Sequence, residues 1–531
     1  MNRILFFIFI QIFAIQLIAQ QNTILIIADD VSPDYFGVLS KTTDTAMTPN
    51  IRALAENGIR YTKAWAAPVC SPTRAGILTG RYSFRTGVGH VITSATSPQL
   101  DTAEYTIPKL LKYYAPTKYR TACVGKWHLH NNTPTKRLYP NLLGYDYYSG
   151  NFNGAISDYY NYPIVRNGQT DTVKTYGTTQ SINEAISWLD TSSASKPFFM
   201  WIAFNAPHTP YHLPPSSLCN TTGLSGTTAH INANPKLYFK ASIEAMDTEI
   251  GRLIQYLKTK NLYTNTNIIF IGDNGNSRDV AQSSDVTKSK ETIYDYGVRV
   301  PFIVSGPRNT SKNIESDALI NTHDIFATVL EMSGFDNWKS SIPSSKTIDS
   351  RSFLPILNGE KILIRNWIFS EQFMNPSDVK DGKTIRNQDY HLLRFDNGTE
   401  EFYNQTLDKE EANNLLKTTM SSTDWSNYKQ LCDTLTALTG KGSCQTMKIE
   451  INKPMPQISI FPNPCAKTLN IQCDAKNISI IIADITGKAV IESQTKVIDV
   501  SVLNNGIYFL SAVINNSTII TKKVIINKSQ F

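Results

Sequence analysis

Thr23-Ile24-Leu25-Ile26-Ile27-Ala28-Asp29-Asp30 joins an almost unbroken apolar run to two adjacent carboxylates. A run without alternation predicts a strand buried on both faces, as in a parallel sheet covered by helices. The two carboxylates repel each other unless a cation lies between them, so a hard-metal site competes with the plainer reading of a solvated turn. The pattern recurs. Tyr119 to Val124 runs into Gly125-Lys126-Trp127-His128-Leu129, Phe198 to Phe204 into Asn205-Ala206-Pro207-His208, and Asn267 to Ile271 into Gly272-Asp273-Asn274-Gly275. Helical patterns at Asn50 to Asn57 and Leu237 to Lys258 fall between these strands. Such alternation predicts an α/β fold with a doubly wound, mostly parallel sheet. Ligands bind beyond the carboxyl ends of strands in such sheets, so the clusters should meet in one pocket.

The stretch from Ala64 to Tyr82, AWAAPVCSPTRAGILTGRY, adds another group. Pro72 suits a first helical turn, Thr73 to Thr79 can continue it and Gly80 can close it, which puts Cys70 just ahead of a helix N-terminus. Free N–H groups, the helix dipole and Arg74 one turn along favour negative charge there and would make a cysteine acidic. A lone cysteine so placed is more often a small buried residue capping a core helix.

Cys70-x-Pro72-x-Arg74, followed by Ala75-Gly76-Ile77-Leu78-Thr79-Gly80-Arg81, resembles the signature of the type I, formylglycine-dependent sulfatases of the alkaline phosphatase superfamily. The resemblance covers roughly residues 22 to 420. It implies that a maturation enzyme oxidises Cys70 to formylglycine, an aldehyde that is hydrated in the working enzyme. One hydroxyl of the diol attacks sulfur and the other, once deprotonated, expels sulfate and restores the aldehyde, a second step that a serine ester lacks. The resemblance also implies that Asp29, Asp30, Asp273 and Asn274, with residue 70, hold one divalent cation, usually calcium. Ligands of this oxygen type suit a hard ion. Gly125 to Leu129 is similar to the second family signature, with His130 in place of its usual closing glycine. Lys290 to Pro301 is similar to a stretch with lysine at its head and Gly-x-Arg-Val-Pro at its tail, with Asp295-Tyr296 in place of Glu-Gly. The roles so implied are Arg74 holding the diol, and Lys126 and Lys290 neutralising the sulfuryl oxygens. His128 would be the base that expels sulfate and His208 the acid that protonates the leaving alcohol.

Composition agrees with an enzyme of this size. The chain has 531 residues, 41% hydrophobic and 18% charged, which fits two or three globular domains. A net charge of +7 without any dense basic run argues against nucleic acid and suits an anionic substrate. Arg3 followed by the apolar run Ile4 to Ile18 predicts a signal peptide, and no later stretch predicts a transmembrane segment, so the protein is expected to be exported, secreted or attached to the cell surface. Cys432 with Cys444, and Cys465 with Cys473, are close enough for local disulfides, although spacing does not fix the pairing. No CxxC pair suggests structural zinc.

The C-terminal third changes character. Trp367 to Ser370, Tyr390 to Phe395 and Glu401 to Asn404 read as short strands of a small α+β subdomain. From Ile458, β-branched runs at 478–482, 497–500, 507–510 and 519–526 alternate with turns at Thr486-Gly487-Lys488 and Asn504-Asn505-Gly506, which predicts an antiparallel β-sandwich. Together with Phe461-Pro462-Asn463-Pro464 and the closing Lys522-Lys523-Val524-Ile525, this segment resembles the sorting domain of Bacteroidetes type IX secretion and implies that machinery as a partner. An accessory carbohydrate-binding sandwich is the alternative, for which no aromatic stripe is present. The predicted organisation is signal peptide 1–20, sulfatase catalytic domain 21–361, α+β subdomain 362–446, linker 447–457 and sorting sandwich 458–531.

These readings predict an exported, calcium-dependent sulfatase acting on a sulfated polysaccharide or oligosaccharide rather than a small aryl sulfate. One rival is a phosphodiesterase or phosphonate monoester hydrolase of the same superfamily. Another is a non-catalytic sulfoglycan-binding protein, which would have no need of both His128 and His208. Loops 131–176 and 209–236 are expected to set selectivity.

Overall fold

The computed structural model describes residues 20–531 apart from 192–195, 441, 446–457, 474–477, 515–517 and 531, so the predicted linker and all but Gln20 of the predicted signal peptide lie outside the described residues. The chain divides into two compact units, one through Cys444 and one from Gln445.

A ten-stranded sheet organises the first unit. Its strands are β1 (Asn22–Ala28), β2 (Gly58–Trp65), β3 (Arg120–Gly125), β4 (Tyr147–Gly150), β5 (Tyr162–Arg166), β6 (Gln169–Val173), β7 (Phe198–Ala203), β8 (Thr266–Gly272), β9 (Phe302–Ser305) and β10 (Ile314–Asn321). The spatial order is β10-β2-β9-β8-β1-β7-β3-β4-β5-β6. Strands β8, β1, β7, β3 and β4 are parallel, β9 runs against both of its neighbours, and the β5–β6 hairpin closes one edge.

Strand β1 is buried along its whole length because its side chains alternate between two cores. Leu25 and Ile27 face one core, with Trp201 and Ile269, under helices α2 (Cys70–Thr79) and α5 (Asp324–Met332). Ile24 and Ile26 face the other, with Met200 and Phe270, under α1 (Pro49–Glu56), α3 (Gly177–Asp190) and α4 (Pro235–Thr259). Helices therefore cover both faces of a mostly parallel sheet, the doubly wound arrangement.

A second, antiparallel sheet follows in simple order, β11 (Ile368–Gln372), β12 (Gly382–Arg386), β13 (Tyr390–Phe395) and β14 (Glu400–Asn404). Helix α6 (Ser422–Thr439) packs on it through Tyr428, Leu431 and Leu435. Ser421 and Asp424 form a capping box at its start and Gly440 closes it in the left-handed region. Cys432 in this helix is disulfide-bonded to Cys444.

The second unit, taken by itself, holds a three-stranded and a four-stranded antiparallel sheet around Leu469, Ile480, Ile482, Leu510 and Val524. Cys465 and Cys473 are buried there and are not joined to each other.

Candidate active site

The loops after β1, β2, β3, β7 and β8 converge because all five strands point the same way. Helix α2 begins at Cys70 itself rather than just after it, with Val69 at the N-cap position and no side-chain cap, and Gly80 ends it at φ 69°. Cys70, Arg74, Lys126 and His128 are all buried.

Cys70 Sγ lies 3.0 Å from His128 Nδ1. The other ring nitrogen, Nε2, is 3.2 Å from the carbonyl oxygen of Ile92, which can only accept, so Nε2 carries the proton and the Nδ1 lone pair faces residue 70. Burial, with the charges of Lys126 and Arg74 nearby, holds His128 far below its ordinary pKa and therefore neutral. Its backbone adopts φ 54°, and its N–H donates to the carbonyl of Phe152 at 3.2 Å.

The acidic groups form a linked set. Lys126 Nζ donates to Asp29 Oδ2 at 2.6 Å, Lys290 Nζ to Asp30 Oδ2 at 2.7 Å, and Asn274 Nδ2 to Asp30 Oδ1 at 2.8 Å. Arg74 clasps Asp273 Oδ2 at 2.7 and 3.1 Å and also donates to the Lys126 carbonyl at 2.8 Å. The Asp30 N–H donates to Asp273 Oδ1 at 3.1 Å. Two buried oxygens receive nothing, Asp29 Oδ1 and Asn274 Oδ1. Buried acceptors without donors are costly, and a cation would satisfy both. With Asp30 and Asp273 beside them the donors are oxygens, which fits a hard divalent ion.

Burial raises Asp29 to about 7 against the pull of Lys126. Asp30 lies below its ordinary value because Lys290 and His208 outweigh its burial. Lys126 and Lys290 in turn are raised, since Asp29 and Asp30 outweigh the effect of burial. Three carboxylates thus face three cations, Arg74, Lys126 and Lys290.

His208 Nδ1 is 2.8 Å from the Thr209 carbonyl and so donates, leaving Nε2 3.5 Å from Lys290 Nζ and 3.6 Å from Asp30 Oδ2. His208 and Lys290 are the members that reach solvent, with 16% and 13% of their side chains exposed, and they mark the mouth.

Several contributors have no signal in the sequence. Ile92 acts through a backbone carbonyl, which no residue letter reveals. Tyr159 holds the loop that carries His208, its hydroxyl lying 2.7 and 2.8 Å from the carbonyls of Asn205 and His208. Asn151 and Asn205 pair their amides at 2.9 and 3.1 Å beneath that loop. His130 stays outside the site: it accepts from the Trp127 indole at 3.0 Å and reaches the Leu100 carbonyl at 2.6 Å. Tyr296 is likewise scaffold, its hydroxyl bonded to Asp34 and accepting from Asn276 at 3.1 Å.

The sulfatase family model matches residues 21–335, more than half of the chain. This chain belongs to the sulfatase family. A model for the C-terminal part of N-sulphoglucosamine sulphohydrolase matches residues 288–439, across the second sheet of this sulfatase, and one for a secretion system C-terminal sorting domain matches residues 459–527. The uncharacterized sulfatase YdeN of Escherichia coli is 29% identical over 341 residues, 59% of this chain and 57% of that protein, so the match spans little more than half of that relative. Arylsulfatase G of Mus musculus is 26% identical over 435 residues, 71% of this chain and 77% of the mouse protein. The structure of BT4656 in complex with its substrate D-glucosamine-2-N,6-O-disulfate shares the fold, with a TM-score of 0.63 at 21% identity over 79% of this chain and 98% of the other. Among the described residues no helix is long and apolar enough to cross a membrane.

Proposed function

We propose that this sulfatase is an exported sulfuric ester hydrolase that releases inorganic sulfate from a sulfated polysaccharide or oligosaccharide through a hydrated formylglycine made from Cys70. The observation that carries this reading is the placement of Cys70 at the start of α2, 3.0 Å from the unprotonated nitrogen of a neutral histidine. Cys70, Asp29, Asp30, Asp273 and Asn274 would hold the cation, and the two unpartnered oxygens support a hard ion such as calcium. Once in place, the hydrated aldehyde supplies the attacking hydroxyl and a second hydroxyl whose deprotonation frees sulfate, while the cation supplies positive charge against a sulfate oxygen.

The protein's own side chains do the rest. Lys126 and Lys290 bind and orient the sulfuryl group and stabilise the charge it gathers in the transition state. Arg74, fixed by Asp273, keeps positive charge beside residue 70. His128 Nδ1 takes the proton of the hydroxyl that remains after transfer, and His208 Nε2 gives a proton to the leaving alcohol at the mouth. Burial excludes water from all but the mouth, which strengthens each of these interactions.

The sorting-domain match supports export by type IX secretion, with the predicted signal peptide as the first address. A glycan substrate is supported by the sulfated sugar bound in the BT4656 structure.

The test is mass spectrometry of the tryptic peptide Ala64 to Arg74 from the native host, paired with release of sulfate from esters and of phosphate from diesters. An aldehyde at position 70 with preferential sulfate release is the expected result. An intact thiol in protein that still turns over esters would overturn the diol route, and preference for phosphate diesters would move the protein to the other branch of the superfamily.

A further inference from the structure

Beside the mouth, Glu291 follows Lys290 in a conformation that L residues rarely adopt, φ 68°. The backbone there is pinned twice, Lys290 N–H to the Asn276 carbonyl at 2.9 Å and Glu291 N–H to the Pro68 carbonyl at 3.0 Å, two residues before Cys70. Strained backbone held this firmly clusters at functional sites. The Glu291 carboxylate is half-exposed, and its nearest cation is Lys380 Nζ at 3.5 Å, from the loop between β11 and β12. His90 lies within the field of the same groups: burial depresses its basicity, while Glu291, Asp381 and Asp378 raise it and Lys380 lowers it.

These residues come from three segments that are tied to the catalytic base. Phe373 N–H donates to the Gly89 carbonyl at 3.2 Å, and Gly89 faces the Phe373 ring so closely that a Cβ there would lie 2.4 Å from it. Three residues on, the Ile92 carbonyl fixes the tautomer of His128. Asp381, buried, accepts from the N–H groups of Met374 and Asp378 at 2.8 and 2.9 Å and so shapes the loop that presents Asp378 and Lys380. The result is a rim next to Lys290 in which two exposed carboxylates, Glu291 and Asp378, accompany one lysine, Lys380, while Lys290 itself is paired with Asp30.

We propose that Glu291, paired with Lys380, is the residue that reads the sugar next to the scissile sulfate, and that this rim selects a residue bearing free hydroxyls over one bearing a second sulfate. This rests on the sulfatase reading above. A carboxylate accepts two hydroxyl hydrogen bonds side by side, and hydrogen bonds to a charged group are about twice as strong as neutral ones. The same charge, unbalanced by the single lysine, repels a further anion.

The experiment compares matured wild type, Glu291→Gln and Glu291→Gly on a monosulfated sugar, its disulfated counterpart and nitrophenyl sulfate, which has no sugar hydroxyls. Glycine suits φ 68° and relieves the strain, so Glu291→Gly keeps the fold and guards against a misfolded variant. In both variants kcat/KM for the monosulfated sugar falls about tenfold more than for nitrophenyl sulfate, mostly through KM, and the preference for one sulfate over two shrinks about tenfold. Equal losses on all three substrates, or an unchanged preference, overturn the proposal. A wild type that carries the aldehyde and turns over none of the three overturns the catalytic reading and this subsite with it. Turnover of nitrophenyl sulfate with no sensitivity to position 291 on the sugars overturns the subsite alone.

Discussion

Asp29 and Asp295 are both buried carboxylates set among basic side chains in the same unit, yet their surroundings differ in one respect. Asp295 Oδ1 accepts from the Trp65 indole at 2.9 Å and from Arg386 at 3.1 Å, and Oδ2 accepts from Arg299 at 2.7 Å. The neighbouring Glu411 accepts from the Asp295 N–H at 3.1 Å and from Gln405 at 2.5 Å, and it also pairs with His391. Despite burial, Arg299 and Arg386 keep Asp295 below its ordinary pKa. That cluster is complete, and it joins the second sheet to the first. Around Asp29 two oxygens are left over, and Asp29 itself is pushed up to about 7 by burial. A finished network does structural work, whereas an unfinished one in a closed pocket is built for something that arrives later.

The contrast is broken most severely by exchanging the two outcomes. Cys70→Ala should lower sulfate-ester turnover by on the order of 10^4-fold while leaving denaturant stability within about 1 kcal/mol, because the side chain is small and its contact with His128 belongs to the reaction. Turnover within tenfold of wild type would place the nucleophile elsewhere. Asp295→Ala should do the reverse. It strips Arg299 and Arg386 of their shared counter-charge in the interior, a loss of about 3–5 kcal/mol measured by urea unfolding, with little direct effect on the chemistry of molecules that remain folded. A loss below about 1 kcal/mol would mean that water or another acceptor takes over from Asp295.

A milder test asks which cluster responds to a cation. With calcium at a hundredfold excess over its Kd, the matured protein should gain about 2.7 kcal/mol of stability, read as a rise in Tm. Asp29→Ala should lose most of that gain, and Asp295→Ala should keep it despite its lower starting Tm. Equal loss in both variants would show that the stabilisation is not local to the unpartnered oxygens.

The sequence made these two clusters unequally visible. Strands β1, β3, β7 and β8 are short apolar runs buried on both faces, so they can be read directly, and the groups at their ends follow with them. Strand β6, Gln169–Val173, is an edge strand of polar residues and carries no apolar pattern, and β2 mixes Arg60, Thr62 and Lys63 with its apolar positions. Strand β12, Gly382–Arg386, is hidden for the same reason, although it supplies Arg386 to the Asp295 cluster. The signatures at Cys70 and Lys126 point to the proposed chemistry because that chemistry would be carried by side chains. The devices that hold those side chains, the Ile92 carbonyl and the left-handed turns at Asp30 and His128, are backbone features that any residue name conceals.

Glu371 sharpens the comparison by the smallest margin. It is buried, Oε1 accepts from the Phe84 N–H at 2.7 Å, and Oε2 has no partner, so it resembles Asp29 in having one idle oxygen. His323, also with an unpartnered nitrogen, lines the same pocket, but among the described residues Glu371 is not part of any group of three side chains able to hold a metal ion. Without a cation to satisfy it, the carboxyl group keeps its proton: burial raises Glu371 to about 7 from its ordinary 4.5, against the opposing Phe84 hydrogen bond and Lys383. The native state therefore binds a proton that the unfolded chain has already released, so stability is highest below about pH 4.5 on this account and falls as pH rises toward 7, where the native group also ionises. Glu371→Gln keeps the Phe84 acceptor and removes the titration. It should stabilise the protein by about 2 kcal/mol at pH 8, by much less at pH 5, and leave the calcium response intact. Equal effects at both pH values would show that Glu371 is ionised throughout, and a calcium response lost with it would show that one idle oxygen is enough to recruit a cation.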